Sequence, residues 1–356
     1  MQAPSLRYFS LDNRLLDEEE TGKFLTSIDF ANFLESVPSI THLELLIGWR
    51  SVIDEGIFHR IILRPNLEML SLGQDIPLRW ETIARIANEL PQTRLFPALR
   101  YLDIAAEDKV LRFLLPKLVN LQGVSLNQTN PSLHPGDHVL GTLSSCSRME
   151  DIVFESDHTT VITNTFLKLA ANCPELRKFE LGDTCQCDHG FTDGLLETLA
   201  SRWKYLTTLN FPFAAKLSIG SLVSLARHCP RLYDVKLMAD LELHDLAHES
   251  TDITFPCLDA LELGHITTSM LQSDRDAMKC RDQISGLLDD RFPLLYTFRF
   301  TPRTDNEHSR ILQRAMNHHF RTTRSAAVDL RPTPVVSKLT RRLIEPIAGS
   351  RYNPTF

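Results

Sequence analysis

One pattern of apolar and polar positions repeats along this chain: a proline or a stand-in for it, any residue, then L-x-x-L-x-L. It is plainest at Pro38–Leu45 (PSITHLEL), Pro65–Leu72 (PNLEMLSL), Pro97–Ile104 (PALRYLDI), Pro174–Leu181 (PELRKFEL), Pro230–Leu237 (PRLYDVKL), Pro256–Leu263 (PCLDALEL) and Pro293–Phe300 (PLLYTFRF). Looser copies begin at Pro4, Val119, Ser147 and Lys204. The first apolar residues are Leu6, Ile40, Leu67, Leu99, Leu121, Met149, Leu176, Leu206, Leu232, Leu258 and Leu295. Their spacing averages about 29 residues, the length of one strand-plus-helix unit in a stacked array.

Within each phrase the apolar positions alternate, which predicts a short strand. Between phrases the spacing turns helical: Thr21–Ser36, Thr163–Ala171, Thr192–Ser201 and Ser218–His228 place apolar residues three and four apart. Several of these open on Ser or Thr, which caps free N–H groups at a helix start. The following proline pushes the residue before it out of the helical region and begins the next extended segment. Strand, helix and strand in succession predict an α/β solenoid, a horseshoe with an inner parallel sheet, outer helices and about eleven irregular repeats. The expected division is a solenoid over 1–302, a capping helix over 303–323 and a basic, proline-containing tail over 324–356.

Phe191-Thr-Asp-Gly-Leu-Leu-Glu-Thr-Leu-Ala200 resembles the helix-opening phrase of cysteine-containing leucine-rich repeats. Asn172-Cys-Pro-Glu-Leu176 and His228-Cys-Pro-Arg-Leu232 resemble the C-P-x-L junction of the same class. Such repeats are typical of F-box/leucine-rich-repeat proteins, and Phe33–Leu43 is similar to the repeat region of large fungal F-box families. The resemblance covers Leu6 to Phe300. It implies the substrate-recognition part of an F-box-type ubiquitin ligase receptor, with an SCF adaptor as a further partner. No F-box-like run is visible: the first phrase begins at Pro4, and the Leu-Pro pairs at Leu90 and Leu115 lead into repeat strands or loops. A stand-alone scaffold or inhibitor without a ligase link is the alternative.

Composition narrows this further. The 356 residues are 43% hydrophobic and 23% charged, which suits a large buried core. Ten Lys/Arg and four Asp/Glu lie from Arg303 onward, so the net charge of −7 hides a body that is markedly acidic. Such a body is a poor general nucleic-acid binder. No apolar run has the length of a membrane span, and no signal-peptide pattern opens the chain. Seven cysteines is an odd count, which favours reduced thiols and a cytoplasmic or nuclear location.

Chemistry-bearing motifs are few. His244-Asp-Leu-Ala-His248, with Glu242 and His265 nearby, spaces two histidines as in a zinc hydrolase, but Asp245 stands where a glutamate would hold the water. Cys185-Gln-Cys187-Asp-His189 offers three soft ligands, though a post-strand loop explains it as well. Cys146, Cys173 and Cys229 recur just before a strand phrase, where a thiol packs as a small apolar group. Asp17–Glu20 is expected to be a solvated loop, and Lys338–Arg342 part of the tail rather than an import signal. No catalytic residue, metal or cofactor is assigned.

Binding is expected on the concave face, at the polar positions that alternate with the leucines. These are Tyr8 and Ser10, His42 and Glu44, Met69 and Ser71, Tyr101 and Asp103, Gly123 and Ser125, Asp151 and Val153. They continue with Lys178 and Glu180, Thr208 and Asn210, Asp234 and Lys236, Ala260 and Glu262, Thr297 and Arg299. The face tilts acidic, Tyr8, Met69 and Tyr101 are expected as apolar anchors, and Asp103 and Asp151 as contacts for a basic partner.

Overall fold

The computed structural model describes residues 6–11, 26–46, 53–73, 77–89, 95–129, 139–156, 160–188, 190–215, 217–239, 254–264, 282, 285–286, 288–300, 310–312, 314–316 and 318–319. The chain forms two compact units, Met1–Cys173 and Pro174–Phe356. In the first, β1 (Tyr8–Leu11), β2 (His42–Leu45), β3 (Met69–Ser71), β4 (Tyr101–Glu107), β5 (Gly123–Thr129) and β6 (Asp151–Ser156) pair side by side in chain order, all parallel. Two-residue strands β7 (Thr160–Val161) and β9 (Gln186–Cys187) stand outside the main ladder. In the second unit, β8 (Lys178–Leu181), β10 (Thr208–Ala215), β11 (Asp234–Ala239), β12 (Ala260–Leu263) and β13 (Thr297–Phe300) pair the same way. Every one of the eleven phrase strands opens two residues after the first apolar residue of its phrase. The fold is therefore a leucine-rich-repeat α/β stack.

Register is held at the strand entrances. The carbonyl just ahead of nine of the eleven phrase strands accepts two amide hydrogens from the next repeat: Arg7 O from Thr41 and His42, Thr41 O from Glu68 and Met69, Glu68 O from Arg100 and Tyr101. Arg100, Gln122, Arg177, Thr207, Tyr233 and Asp259 carbonyls do the same. These bonds are 2.7–3.1 Å long. From the second repeat on, the leucine-type positions inside the strands are at most 3% exposed. In β1 the corresponding Phe9 and Leu11 are only half buried, with Phe9 packed against Phe33 at 4.4 Å.

Helices intervene at Ser27–Ser36, Glu55–Ile62, Trp80–Glu89, Asp108–Leu114, Val139–Leu143 and Thr163–Asn172 in the first unit. The second has Asp193–Arg202 and Ile219–His228. Three of the four expected helices lie within a residue of their expected bounds. The fourth, expected from Thr21, begins at Ser27, because Thr26 and Asp29 form a capping box with the Asp29 amide donating to Thr26 Oγ1 at 3.2 Å. Of four further helices, Glu55–Ile62, Asp108–Leu114 and Val139–Leu143 have eight residues or fewer, while Trp80–Glu89 is as long as the expected ones. Glu55–Ile62 is capped by Asp54, whose Oδ1 accepts from the Ile57 amide at 2.8 Å. The described residues among 310–319 are helical, with Leu312 and Met316 buried.

Polar side chains tie neighbouring repeats. Asp193, the first residue of its helix, accepts from the Ser218 amide at 2.8 Å and hydroxyl at 2.7 Å, and from the Ser221 hydroxyl. It thus helps cap the next helix, and Ser218 Oγ accepts from the Gly220 amide at 3.1 Å. Burial alone would raise the Asp193 carboxyl pKa, but these donors from Ser221 and Ser218 bring it below the ordinary value.

We expect Asp193→Ala to cost on the order of 1 kcal/mol at pH 7. The carboxyl is more acidic folded than unfolded, so its contribution is complete above the unfolded pKa and is lost as pH falls through the folded one. Urea unfolding of the variant and the parent should therefore differ at pH 7, and the difference should shrink as pH falls below the ordinary carboxylate range.

Candidate protein-interaction face

The alternate positions of the strands line up across each sheet. In the first unit one row runs Tyr8, His42, Met69, Tyr101, Gly123, Asp151, and the second runs Ser10, Glu44, Ser71, Asp103, Ser125, Val153. In the second unit the rows are Lys178, Thr208, Asp234, Ala260, Thr297 and Glu180, Asn210, Lys236, Glu262, Arg299. All twenty-two residues expected on this face therefore occupy two registers within each unit. That follows from the period of two along each strand and the unslipped parallel pairing between strands.

The two units use these rows differently. In the first, Met69 is 3% exposed, Tyr101 2% and Asp151 1%, while Glu44, Ser71, Asp103 and Ser125 are buried too. Of the three expected anchors only Tyr8 presents itself to solvent. One cause is visible at Gly123, where an added Cβ would meet Tyr101 Cδ1 at 2.9 Å. The glycine lets the Tyr101 ring lie across β5, and its hydroxyl donates to Gln122 Oε1 at 3.3 Å. Asp103 accepts from Ser71 Oγ at 2.7 Å. Glu44 accepts from the Tyr8 hydroxyl at 2.7 Å; burial and this carboxylate both raise the Tyr8 pKa. Charge reversal at Asp103 or Asp151 would thus place a long cation in a closed environment and perturb folding.

In the second unit Lys178, Glu180, Thr208, Asn210, Asp234, Lys236, Ala260, Glu262 and Thr297 are half-buried and Arg299 is exposed. Lys178 pairs with Glu180 at 3.0 Å. Lys236 bridges Asp183 at 2.9 Å and Glu262 at 3.5 Å. Burial alone would lower the Lys236 pKa, but its two acidic partners raise it. Asp183 lies in the turn after β8, outside the repeat phrase, so the alternation of the strands gave no reason to place it here. Asp259, one residue ahead of β12, is another such residue: its Oδ2 accepts from the Tyr233 hydroxyl at 3.1 Å. Asp234 is pushed up to about 6 by burial first, then by Glu180, Glu262 and Asp259, with Lys178 partly opposing them.

The recurring cysteines prove to be more than apolar filler. Cys146 Sγ donates to Leu118 O at 3.4 Å, and Cys173 Sγ to Cys146 O at 3.5 Å and Leu143 O at 3.8 Å. Cys229 Sγ reaches Ala200 O and Trp203 O, both at 3.5 Å. Each thiol adds a donor at or just past the helix end of the previous repeat, where most of these carbonyls also accept a backbone amide, as Leu118 O does from Leu121 and Trp203 O from Leu206. Arg64 does the same with a guanidinium, donating to Val37 O at 2.9 Å and to Leu34 O. Burial pushes the Cys173 and Cys229 thiols up to about 12 and raises Cys146, so none is a ready nucleophile at neutral pH.

Cys185 is buried, and Cys187 donates to Asp188 Oδ1 at 3.6 Å with its pKa pushed up to about 12 by burial and by Asp188. His189, Glu242, His244, Asp245, His248, His265, Asp17–Glu20 and Lys338–Arg342 lie outside the described residues. Among the described residues, no group of three or more His, Cys, Asp and Glu side chains is gathered that could hold a metal ion. Nor is any described helix long and apolar enough to cross a membrane.

No protein-family model matches the chain, and no curated protein matches it. Among solved structures, the crystal structure of the Rad7 and Elc1 complex in yeast is similar, with a TM-score of 0.51 over 85% of this chain and 72% of that chain. Sequence identity is 14%, so the likeness is one of fold.

We expect Cys146, Cys173 and Cys229 to be silent toward an aromatic disulfide reagent in the native protein at pH 7.4 and to react once guanidinium unfolds it. Mass mapping of the labelled thiols before and after unfolding checks this. Native labelling at Cys229 would contradict the burial described above.

Proposed function

We propose that this chain is a non-catalytic protein-recognition module that holds a protein target on the strand rows of its sheets. The observation that carries this reading is the in-register display of chemically varied side chains on a constant frame, with the second unit's rows open to solvent. A sheet of this kind keeps its inward residues for stability and leaves the alternate ones to vary with the partner. The similar solved structure is that of a protein complex, which is in keeping with such a role. On the resemblance of its repeats, the chain is proposed to be the substrate-recognition part of an F-box-type ubiquitin ligase receptor. The target would be held in place while other parts of the assembly carry out ubiquitin transfer, with no residue here making or breaking bonds. Cytoplasm or nucleus is the proposed location.

Two experiments test the two levels of this reading. A photo-crosslinking residue placed at Thr208 or Thr297 on the rows should capture a defined protein in host cells, whereas one at Glu175 or Glu197, both exposed away from the rows, should not. Equal capture from both sets would overturn the placement of the face. For the ligase link, co-expression with an excess of SCF adaptor subunit should give stoichiometric co-purification. Failure of that capture with the crosslinks intact would favour the stand-alone scaffold.

A further inference from the structure

Asp234 sits in the middle of the second unit's open face, with Thr208 on one side in register and Ala260 on the other. Every neighbouring cation is engaged or displaced from it: Lys178 pairs with Glu180, Lys236 is shared between Asp183 and Glu262, and Arg299 projects into solvent two strands away. Among the described residues the Asp234 carboxylate makes no hydrogen bond and no ion pair, although it is half-buried and flanked by the carboxylates of Glu180, Glu262 and Asp259. A carboxylate held among like charges without a partner is unfavourable unless something completes it. Ala260 projects no further than its methyl group and so leaves room for a side chain entering from outside. A carboxylate wanting donors at both oxygens, in an acidic surround, matches the planar five-donor fork of a guanidinium better than the point charge of an ammonium.

We propose that this face recognises a protein segment presenting an arginine side chain, which seats above Ala260 and pairs with Asp234. The inference rests on the proposed use of the strand rows for protein binding. The carboxylate loses its charge on acidification through about pH 6, so the contact weakens over that range. The groups that set this response are Glu180 and Lys178 from β8, Glu262 and Asp259 from β12 and its approach, and Lys236 from β11 itself.

The test uses the full chain and a fluorescein-labelled hexa-arginine peptide, read by fluorescence anisotropy at about 0.15 M ionic strength, where longer-range attraction to the acidic body is screened. Asp234→Asn should weaken binding about tenfold at pH 7.5, while Glu197→Gln, which removes an exposed helix charge, should change it less than twofold. Binding by the parent should fall between pH 7.5 and 5.5, and that of the Asn variant should stay flat. Ala260→Arg supplies the guanidinium from within the chain and should abolish peptide binding while raising the thermal midpoint at pH 8. Circular dichroism confirms that each variant is folded. Equal losses from Asp234→Asn and Glu197→Gln, or a hexa-lysine peptide bound as tightly as hexa-arginine, would overturn the proposal. So would an Ala260→Arg chain that still binds. Loss of the row-specific crosslinks with this peptide behaviour intact would instead overturn the broader reading.

Discussion

A single carbonyl at the entrance of nine of the eleven phrase strands, shared by two amide hydrogens of the next repeat, sets the register on which everything else rests. Because side chains alternate with a period of two, a slip of one residue would turn every leucine outward and every polar row inward. The doubled bond makes that slip costly at each junction where it occurs, and it recurs at five junctions in the first unit and four in the second. Threonine reinforces it twice: Thr41 Oγ1 also donates to Arg7 O at 3.1 Å, and Thr207 Oγ1 to Arg177 O at 2.9 Å. With the register secured, inward residues from Leu43 to Phe300 pack at near-zero exposure despite wide variation in repeat length.

The outer layer is less regular, and its coherence comes from donors that serve the preceding repeat. A helix ends with carbonyls outside its own hydrogen-bond ladder, and here turn amides and side-chain donors meet them together. Cysteine thiols do so at Cys146, Cys173 and Cys229, and the Arg64 guanidinium does so at the same place in an earlier repeat. Trp203 occupies the equivalent position with its ring stacked on Phe179 at 5.3 Å, but among the described residues its indole nitrogen has no acceptor. One location in the repeat is thus filled by a thiol, a guanidinium or an aromatic ring, according to how much volume the local packing leaves. At the helix starts Asp193 performs the complementary task, supplying acceptors to the next helix.

The strand rows show how an unchanging frame yields different surfaces. Tyr101 lies flat where Gly123 leaves no side chain beneath it, and with Met69 and Asp151 it belongs to a closed environment. Beyond Pro174 the same register positions carry Lys178, Asp234, Lys236 and Glu262, which are half-buried and remain within reach of solvent. Their charges are mostly spent on one another. Asp234 is the exception: among the described residues its carboxylate has no partner.

The eleven strands, their starting residues and the alternation of inward and outward positions were legible in the sequence, because burial of L-x-x-L-x-L admits one periodicity and the recurring phrase repeats it. Helices with strong caps and unbroken spacing, such as those at Asp193–Arg202 and Ile219–His228, were legible for the same reason. The capping box at Thr26 was available as a local signal and sets that helix start later than the apolar spacing alone suggests. What no local pattern contained was which outward residues stay open, since exposure depends on side chains contributed by other repeats, as Gly123 does for Tyr101. Likewise the link between Lys236 and Asp183, 53 residues apart, and the absence of such a link at Asp234, arise from how strands are brought together in space. Periodicity determines where a side chain points; its neighbours across the sheet determine whether it is buried, paired or left to find a partner.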